Sequence, residues 1–466
     1  MNADINLYKL KGPAQVSFMN IRHYIRRTAL TIMALTALSI EAAFGFSLPV
    51  TRFTLDNGME VIVIEDHRSP LVLHAVTYKV GGADEEAGKT GLAHFFEHLM
   101  FKGTKKYPKD SFDLLLDENG AERNAFTTLE TTFYYERSHV NMLEQLMDLD
   151  ADRMLNLVLT PEVLETERKV VQEERRLRTE SDPYGSAFEK VNATLFKFHP
   201  YGRPVVGLAE DVAKLTLDDA ISFYRAHYMP ANAILLVVGD VQPENVRRMA
   251  QKYYGPLQNP GKPPGSKRSP EPVRANAERL ELEDARVSSP AISRIYNMGL
   301  NAGTTAREAA AYQVLASIMG SNSQSRLYKQ LITGDQLATS VNTTYRGSTD
   351  EYGLFYVFGA PRSGVDVGKL EARIDAILQD VKDNGVTPEE LQDAINTAAA
   401  KDIYARDSAV SLGVTAADVR ASGRSLSYID DVSTAISKLT PQDIQAAAQK
   451  VFDTTQSVTL ILRPKS

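Results

Sequence analysis

The sequence predicts an α+β fold made of two related halves, on three observations. Strand and helix patterns follow one another in a mixed order along the chain, which suggests α+β packing. The halves also echo each other. Leu215-Thr216-Leu217-Asp218-Asp219-Ala220-Ile221 returns as Leu439-Thr440-Pro441-Gln442-Asp443-Ile444, at an offset of 224 residues. Each is followed by a helical pattern, an aromatic residue (Tyr228, Phe452) and an apolar strand. Tyr78 and Gly81 match Tyr296 and Gly299 at an offset of 218. Such spaced similarity is the mark of internal duplication. Finally, Pro256 to Pro272 is rich in Pro and Gly and carries Lys267-Arg268, the composition of a linker. The expected division is therefore a first domain over 48–255, a linker over 256–272 and a second domain over 273–466, preceded by a signal region over 1–45.

The elements follow in order. Thr51–Asp66 reads as two strands about Asn57-Gly58, a hairpin dipeptide. Leu71–Val80 is a further strand, and Leu92–Phe101, free of helix breakers, is a helix. Phe112–Asn119 reads as helix, and Phe126–Glu136, rich in Thr, Phe and Tyr, as one strand. Met142–Val158 is helical. Thr160-Pro161-Glu162 supplies an N-cap with Pro at the first helical position, opening a helix that runs to about Arg178. Ala233–Val238 is a continuous apolar run of the kind found in a buried strand.

Bulk properties narrow the function classes. The 466 residues suffice for two or more domains, and 43% hydrophobic with 24% charged residues is ordinary for a globular protein. A net charge of −7 argues against nucleic-acid binding. The chain has no cysteine, which excludes disulfides and thiolate metal sites. Near the N-terminus, Met19-Asn20-Ile21-Arg22-His23-Tyr24-Ile25-Arg26-Arg27 is basic. The 13-residue apolar run Thr28–Ile40 and the small residues Ala42, Ala43 and Gly45 follow it. This is the layout of a secretory signal, too short to span a membrane. Cleavage near Gly45 and a periplasmic mature protein are expected, with Met19 a candidate true start.

His94-Phe95-Phe96-Glu97-His98 carries the chemistry. It reads H-x-x-E-H, which a chain of this composition would hold by chance about one time in a hundred. On a helix, residues four apart share a face, so His94 and His98 can close on one zinc ion. Glu97 is then placed to take a proton from water at the open position of the metal. The order, with Glu before the second His, is that of the inverzincins. A catalytic zinc usually holds three protein ligands. All eight His lie at or before His227, so the C-terminal half offers no imidazole. The capped helix offers Glu167, Glu173 and Glu174. Glu167 and Glu174, seven apart, share a face, and Glu173 points about 100° away.

These motifs resemble the pitrilysin/insulinase family of zinc metallopeptidases. The resemblance rests on His94–His98 with Lys102-Gly103-Thr104 after it, and on Glu167…Glu174 with Glu174 76 residues beyond His98. It rests too on Gly120…Asn124-Ala125-Phe126-Thr127 and on His199-Pro200-Tyr201-Gly202, and it covers nearly all of 48–466. It implies two duplicated domains, each a mixed, mostly antiparallel sheet flanked by helices, as in the mitochondrial processing peptidase subunits. It implies one zinc ion per chain, Glu174 as third ligand, Glu167 as a carboxylate behind the ligands and Glu97 as catalytic base. It also implies that Asn124–Thr128 is an edge strand that binds extended peptide by strand addition, with Asn124, Ala125 and Phe126 at the substrate.

One departure bears on mechanism. Active members of the family usually carry an Arg and a Tyr in the second domain, and those positions here match Ile332 and Thr339. Under the duplication, His94, Glu97 and His98 fall opposite Tyr312, Leu315 and Ala316, so the second copy has no metal site. The expectation is a zinc endopeptidase subunit that works with a homologous partner supplying Arg and Tyr, unless Tyr345 or Tyr328 substitutes. The competing expectation is a structural or chaperone-like subunit that binds peptide without cutting it.

Overall fold

The computed structural model describes residues 49–108, 111–265, 268–347 and 350–465. The expected signal region lies outside them. Two sheets form the frame. The first contains β1 (Val50–Thr54), β2 (Glu60–Glu65), β3 (Leu71–Tyr78), β4 (Glu122–Thr127), β5 (Thr132–His139) and β6 (Ala233–Gly239), in the order β1-β2-β6-β3-β5-β4. β2 and β6 are parallel and the other neighbours antiparallel. The second contains β7 (Glu278–Asp284), β8 (Ala291–Leu300), β9 (Ala338–Arg346), β10 (Tyr352–Pro361) and β11 (Ser457–Pro464), in the order β7-β11-β8-β10-β9. Its one parallel pair, β7 with β11, stands where β2 and β6 stand in the first. The topology of β2-β6-β3-β5-β4 is thus repeated strand for strand, as the duplication predicts.

Alternation of side chains divides the first sheet between two cores. Val61, Val63, Val76, Leu235 and Val237 face Phe95, Phe96, Met147 and Tyr224 from helices of the same half. Ile62, Ile64, Leu73, Ile234, Leu236 and Val238 face Ala416 and Ala417, which belong to helix Ala409–Ala421 of the second half. The exchange is reciprocal. Helix Pro183–Leu195 of the first half sets Ala187, Val191 and Leu195 against Ile295, Leu354, Val458 and Leu460 of the second sheet. Both helices have 13 residues and begin 226 residues apart, so they are the same element of the two repeats. Close approach needs small residues: a Cβ on Gly413 would stand 2.8 Å from Leu73 Cδ2. Arg420 adds an ion pair across the boundary, Nε to Glu60 Oε1 at 2.7 Å.

No helix or strand lies between Tyr253 and Glu278 among the described residues. Within that stretch, Arg268 is largely buried and bridges both halves. Its Nη2 is 2.8 Å from Asp84 Oδ1, and its Nη1 is 2.5 Å from Glu130 Oε2 and 3.0 Å from Glu351 Oε2.

Two local expectations need correction. The stretch Phe126–Glu136 is not one strand but the turn and arms of a hairpin, β4 and β5, reversed at Thr128–Thr131. Thr128 Oγ1 accepts the Thr131 N–H and stabilises the turn without Gly or Pro. The α-helix opened by Thr160 ends at Arg175, and Arg176–Glu180 continues as a wider π-turn.

Candidate metal centre

Helix Leu92–Leu99 begins at Gly91, whose left-handed backbone (φ +91°) suits glycine. Its first turn is held by a side chain from outside the helix. Glu85 Oε2 accepts the Gly91 N–H and Oε1 the Ala93 N–H, both at 2.8 Å. Leu92, Phe95, Phe96 and Leu99 bury one face in the core, which turns His94 and His98 toward the neighbouring helix Pro161–Arg175. The imidazole rings lie 5.1 Å apart. Thr160 caps the second helix by accepting the Val163 N–H, and Leu164, Glu167, Val171 and Arg175 are its buried residues. The two helices run antiparallel, with His98 and Lys102 beside Glu167 and His94 beside Glu174.

Glu174 bridges the two imidazoles. Its Oε1 is 3.5 Å from His94 Nε2, and its Oε2 is 3.2 Å from His98 Nε2. Three donors held about 2.0–2.1 Å from one tetrahedral zinc stand about 3.3 Å from one another. The two imidazole nitrogens and the carboxylate thus have the chemistry and the spacing for that ion. Glu167 lies behind them, 3.6 Å from His98 Nδ1 and 2.7 Å from Lys102 Nζ. Glu97 Oε2 is 4.0 Å from His94 Nε2 and accepts a hydrogen bond from Thr127 Oγ1 at 2.7 Å. Glu173 points away and pairs with Arg176 at 2.6 Å, so of the three carboxylates on this helix Glu174 is the one that faces both rings.

The electrostatics favour positive charge here. His94 and His98 hold the Glu174 carboxyl well below the usual range. Burial alone would lower His98, but Glu167 and Glu174 outweigh it and hold the imidazole up to about 9. Burial opposes ionisation of Glu167 as well, and His98 and Lys102 overcome it. A second buried cluster, His74, Glu136 and Asp150, has a similar donor spacing. A resident cation already fills that one: Arg153 reaches Glu136 at 3.0 Å and Asp150 at 2.8 Å.

Comparison with known proteins gives family matches over both halves. Residues 60–208 match insulinase (peptidase family M16), and residues 214–398 match the peptidase M16 inactive domain. Zinc protease PqqE of Helicobacter pylori is 28% identical over 415 residues, covering 88% of this chain and 92% of that protein. An uncharacterized zinc protease of Mycobacterium leprae is 31% identical over 350 residues, 74% of this chain and 76% of that one. The chain belongs to peptidase family M16. The crystal structure of a protease from Helicobacter pylori superposes with a TM-score of 0.84 at 27% identity, covering 90% of this chain and all of that one (100%).

The second half of this M16 chain carries no such centre among the described residues. Tyr312, Leu315 and Ala316 are buried in helix Ala306–Gly320 and offer no metal ligand. Ile332 lies in the π-turn Tyr328–Gly334, and the Thr339 hydroxyl donates to Ala360 O at 3.3 Å. The Tyr345 hydroxyl is buried, and its ring packs 5.4 Å from that of Tyr312. Tyr328 is half-buried on the same π-turn as Ile332.

Asn124, Ala125 and Phe126 stand on β4, which pairs with β5 on one side and ends the sheet on the other. Thr128 N donates to Thr131 O at the turn, so backbone groups alternate from there, with those of Ala125 and Thr127 directed outward. The Ala125 N–H is bonded to Asn124 Oδ1 at 2.8 Å, and the Phe126 ring stacks on Phe133 at 5.1 Å.

The sequence reading missed Glu85 and Arg178 as parts of the M16 site, and it placed Thr127 on the substrate strand without its contact to Glu97. Arg178 Nη1 lies 2.7 Å from Glu174 Oε1, a pairing legible from the i,i+4 spacing. Glu85 yields a pH prediction. Burial pushes its carboxyl up to about 8, against the two N–H donors. The unfolded chain releases this proton near the ordinary value of 4.5 and the folded chain near 8. The folded state therefore binds more protons in that window, and the stability Glu85 contributes falls as pH rises through it. Thermal melts between about pH 5 and pH 8 should show a smaller decline for Glu85→Gln than for the parent protein.

Proposed function

We propose that this chain is the zinc-bearing subunit of an endopeptidase that hydrolyses peptides or unfolded polypeptides in the periplasm, working with a homologous partner. The observation that carries this reading is the convergence of His94, His98 and Glu174, with Glu97 beside them. Zinc held by those three side chains would supply Lewis acidity, polarising the scissile carbonyl and acidifying water. Glu97 takes the proton of the attacking water on its carboxylate, which Thr127 Oγ1 holds in place beside His94. It later returns that proton to the departing amine. Glu167 keeps the His98 ring turned so that Nε2 faces Glu174. The outward backbone groups of Ala125 and Thr127 hold the substrate as an added strand, once Asn124 releases the Ala125 N–H.

The partner is proposed because neither Ile332 nor Thr339 can supply a cation or a phenol to a developing oxyanion, and the Thr339 hydroxyl is already given to Ala360 O. Loss of such a donor typically costs about 2.7–4 kcal/mol of barrier. The isolated chain should therefore turn over peptide at least about 100-fold more slowly than the mixture with a partner that supplies Arg and Tyr. Full turnover by the isolated chain would remove the need for a partner. The zinc assignment is tested by metal analysis. One zinc per chain is expected in the parent protein, and Glu174→Ala should bind zinc at least about 100-fold more weakly.

The same missing side chains favour a second reading, a subunit that binds peptide without cutting it. Glu97 separates the two readings, because a peptide-binding scaffold has no use for a carboxylate beside the metal ligands.

A further inference from the structure

Helix Pro161–Arg175 and the π-turn after it present two exposed apolar side chains next to the third ligand candidate. Val170 is four residues before Glu174 and Leu177 three after it, with 45% and 56% of their surfaces exposed. At about 100° per residue Val170 falls about 40° to one side of Glu174, and Leu177, in the wider π-turn, falls further round to the same side. Glu97, three residues after His94, falls about 60° to the same rotational side of His94. The two helices run antiparallel, with His98 beside Glu167 and His94 beside Glu174. Rotational offsets of the same sense on two facing antiparallel helices point to one side of the plane that contains both axes. Val170 and Leu177 therefore share a side with Glu97.

The opposite flank is closed. Arg168 donates to Val212 O at 2.9 Å and to Leu215 O at 2.6 Å, and Arg175 donates to Gly207 O at 2.7 Å. The flank bearing Val170 and Leu177 is left open, and its charged neighbours Glu173 and Arg176 neutralise each other.

We propose that Val170 and Leu177 form the subsite for an apolar side chain of the bound peptide next to the bond that is cut, so that the preferred substrates carry an apolar residue there. This rests on the reading of the chain as peptide-binding at the metal centre, and binding rather than turnover is its test. The full zinc-loaded chain carrying Glu97→Gln is titrated with a short Ala/Ser peptide bearing one Phe, and with the same peptide bearing Asp in its place. The Phe peptide should bind about tenfold more tightly. Adding Leu177→Asp, or separately Val170→Asp, should erase that preference without changing zinc content. Both residues are exposed, so neither change strains the fold, and thermal melts verify this. A Phe preference that survives both substitutions, or no preference in Glu97→Gln, overturns the subsite. If the subsite dependence appears but the parent protein and its partner hydrolyse nothing, the subsite stands and the peptidase reading falls. If hydrolysis is robust and indifferent to both residues, the reverse holds.

Discussion

Glu97→Gln is expected to retain one zinc per chain and to lose about 10²–10⁴-fold in peptide hydrolysis. The amide has nearly the shape of the carboxylate, and Thr127 Oγ1 can still donate to its oxygen as it does to Glu97 Oε2 at 2.7 Å. None of the three ligand candidates is touched. What disappears is a group able to accept a proton. Zinc measured by atomic emission and peptide cleavage followed with the partner present separate the two effects. Zinc retained with hydrolysis unchanged would leave Glu97 without a catalytic part and favour the non-cutting reading.

The second large effect concerns stability. Ala417 is fully buried between helix Ala409–Ala421 and the outer face of the first sheet, among Ile62, Leu73, Leu236 and Val238. Ala417→Asp places a carboxylate there with no partner, which should destabilise the protein by about 3 kcal/mol or more. The damage should appear far from the substitution in sequence. Amide hydrogen exchange should accelerate in β3 and β6, in the first half, although the change lies in the second. Acceleration confined to the second half would contradict the exchanged packing.

Much of the centre was legible because its signals are local. His94 and His98 declare themselves by four-residue spacing on a breaker-free helix. Thr160-Pro161 announces the helix that bears Glu167 and Glu174, and the seven-residue interval places those two on one face. The parts that escaped are tertiary. Glu85 reads as one acid in the loop Asp84-Glu85-Glu86, and nothing nearby signals that its oxygens will meet the N–H groups of Gly91 and Ala93. Thr127 meets Glu97 only because the β4–β5 hairpin folds beside the histidine helix. That hairpin was read as one strand because Thr128-Leu129-Glu130-Thr131 lacks the usual turn residues, its reversal being held by threonine hydroxyls. The echo between halves announced the duplication. It could not show that helices Pro183–Leu195 and Ala409–Ala421 change places, since their buried positions are largely Ala, Gly and Val and carry little directional pattern.

Arg268 has a consequence for how the two halves can move against each other. One guanidinium, anchored to Asp84 and Glu130 on one side and to Glu351 on the other, crosses the seam that would have to flex. With the exchanged helices it ties the two halves together across their boundary, which opposes hinging along that line. In the proposed pairing, a long substrate would then enter and leave where this chain parts from its partner, not through the seam between its own halves.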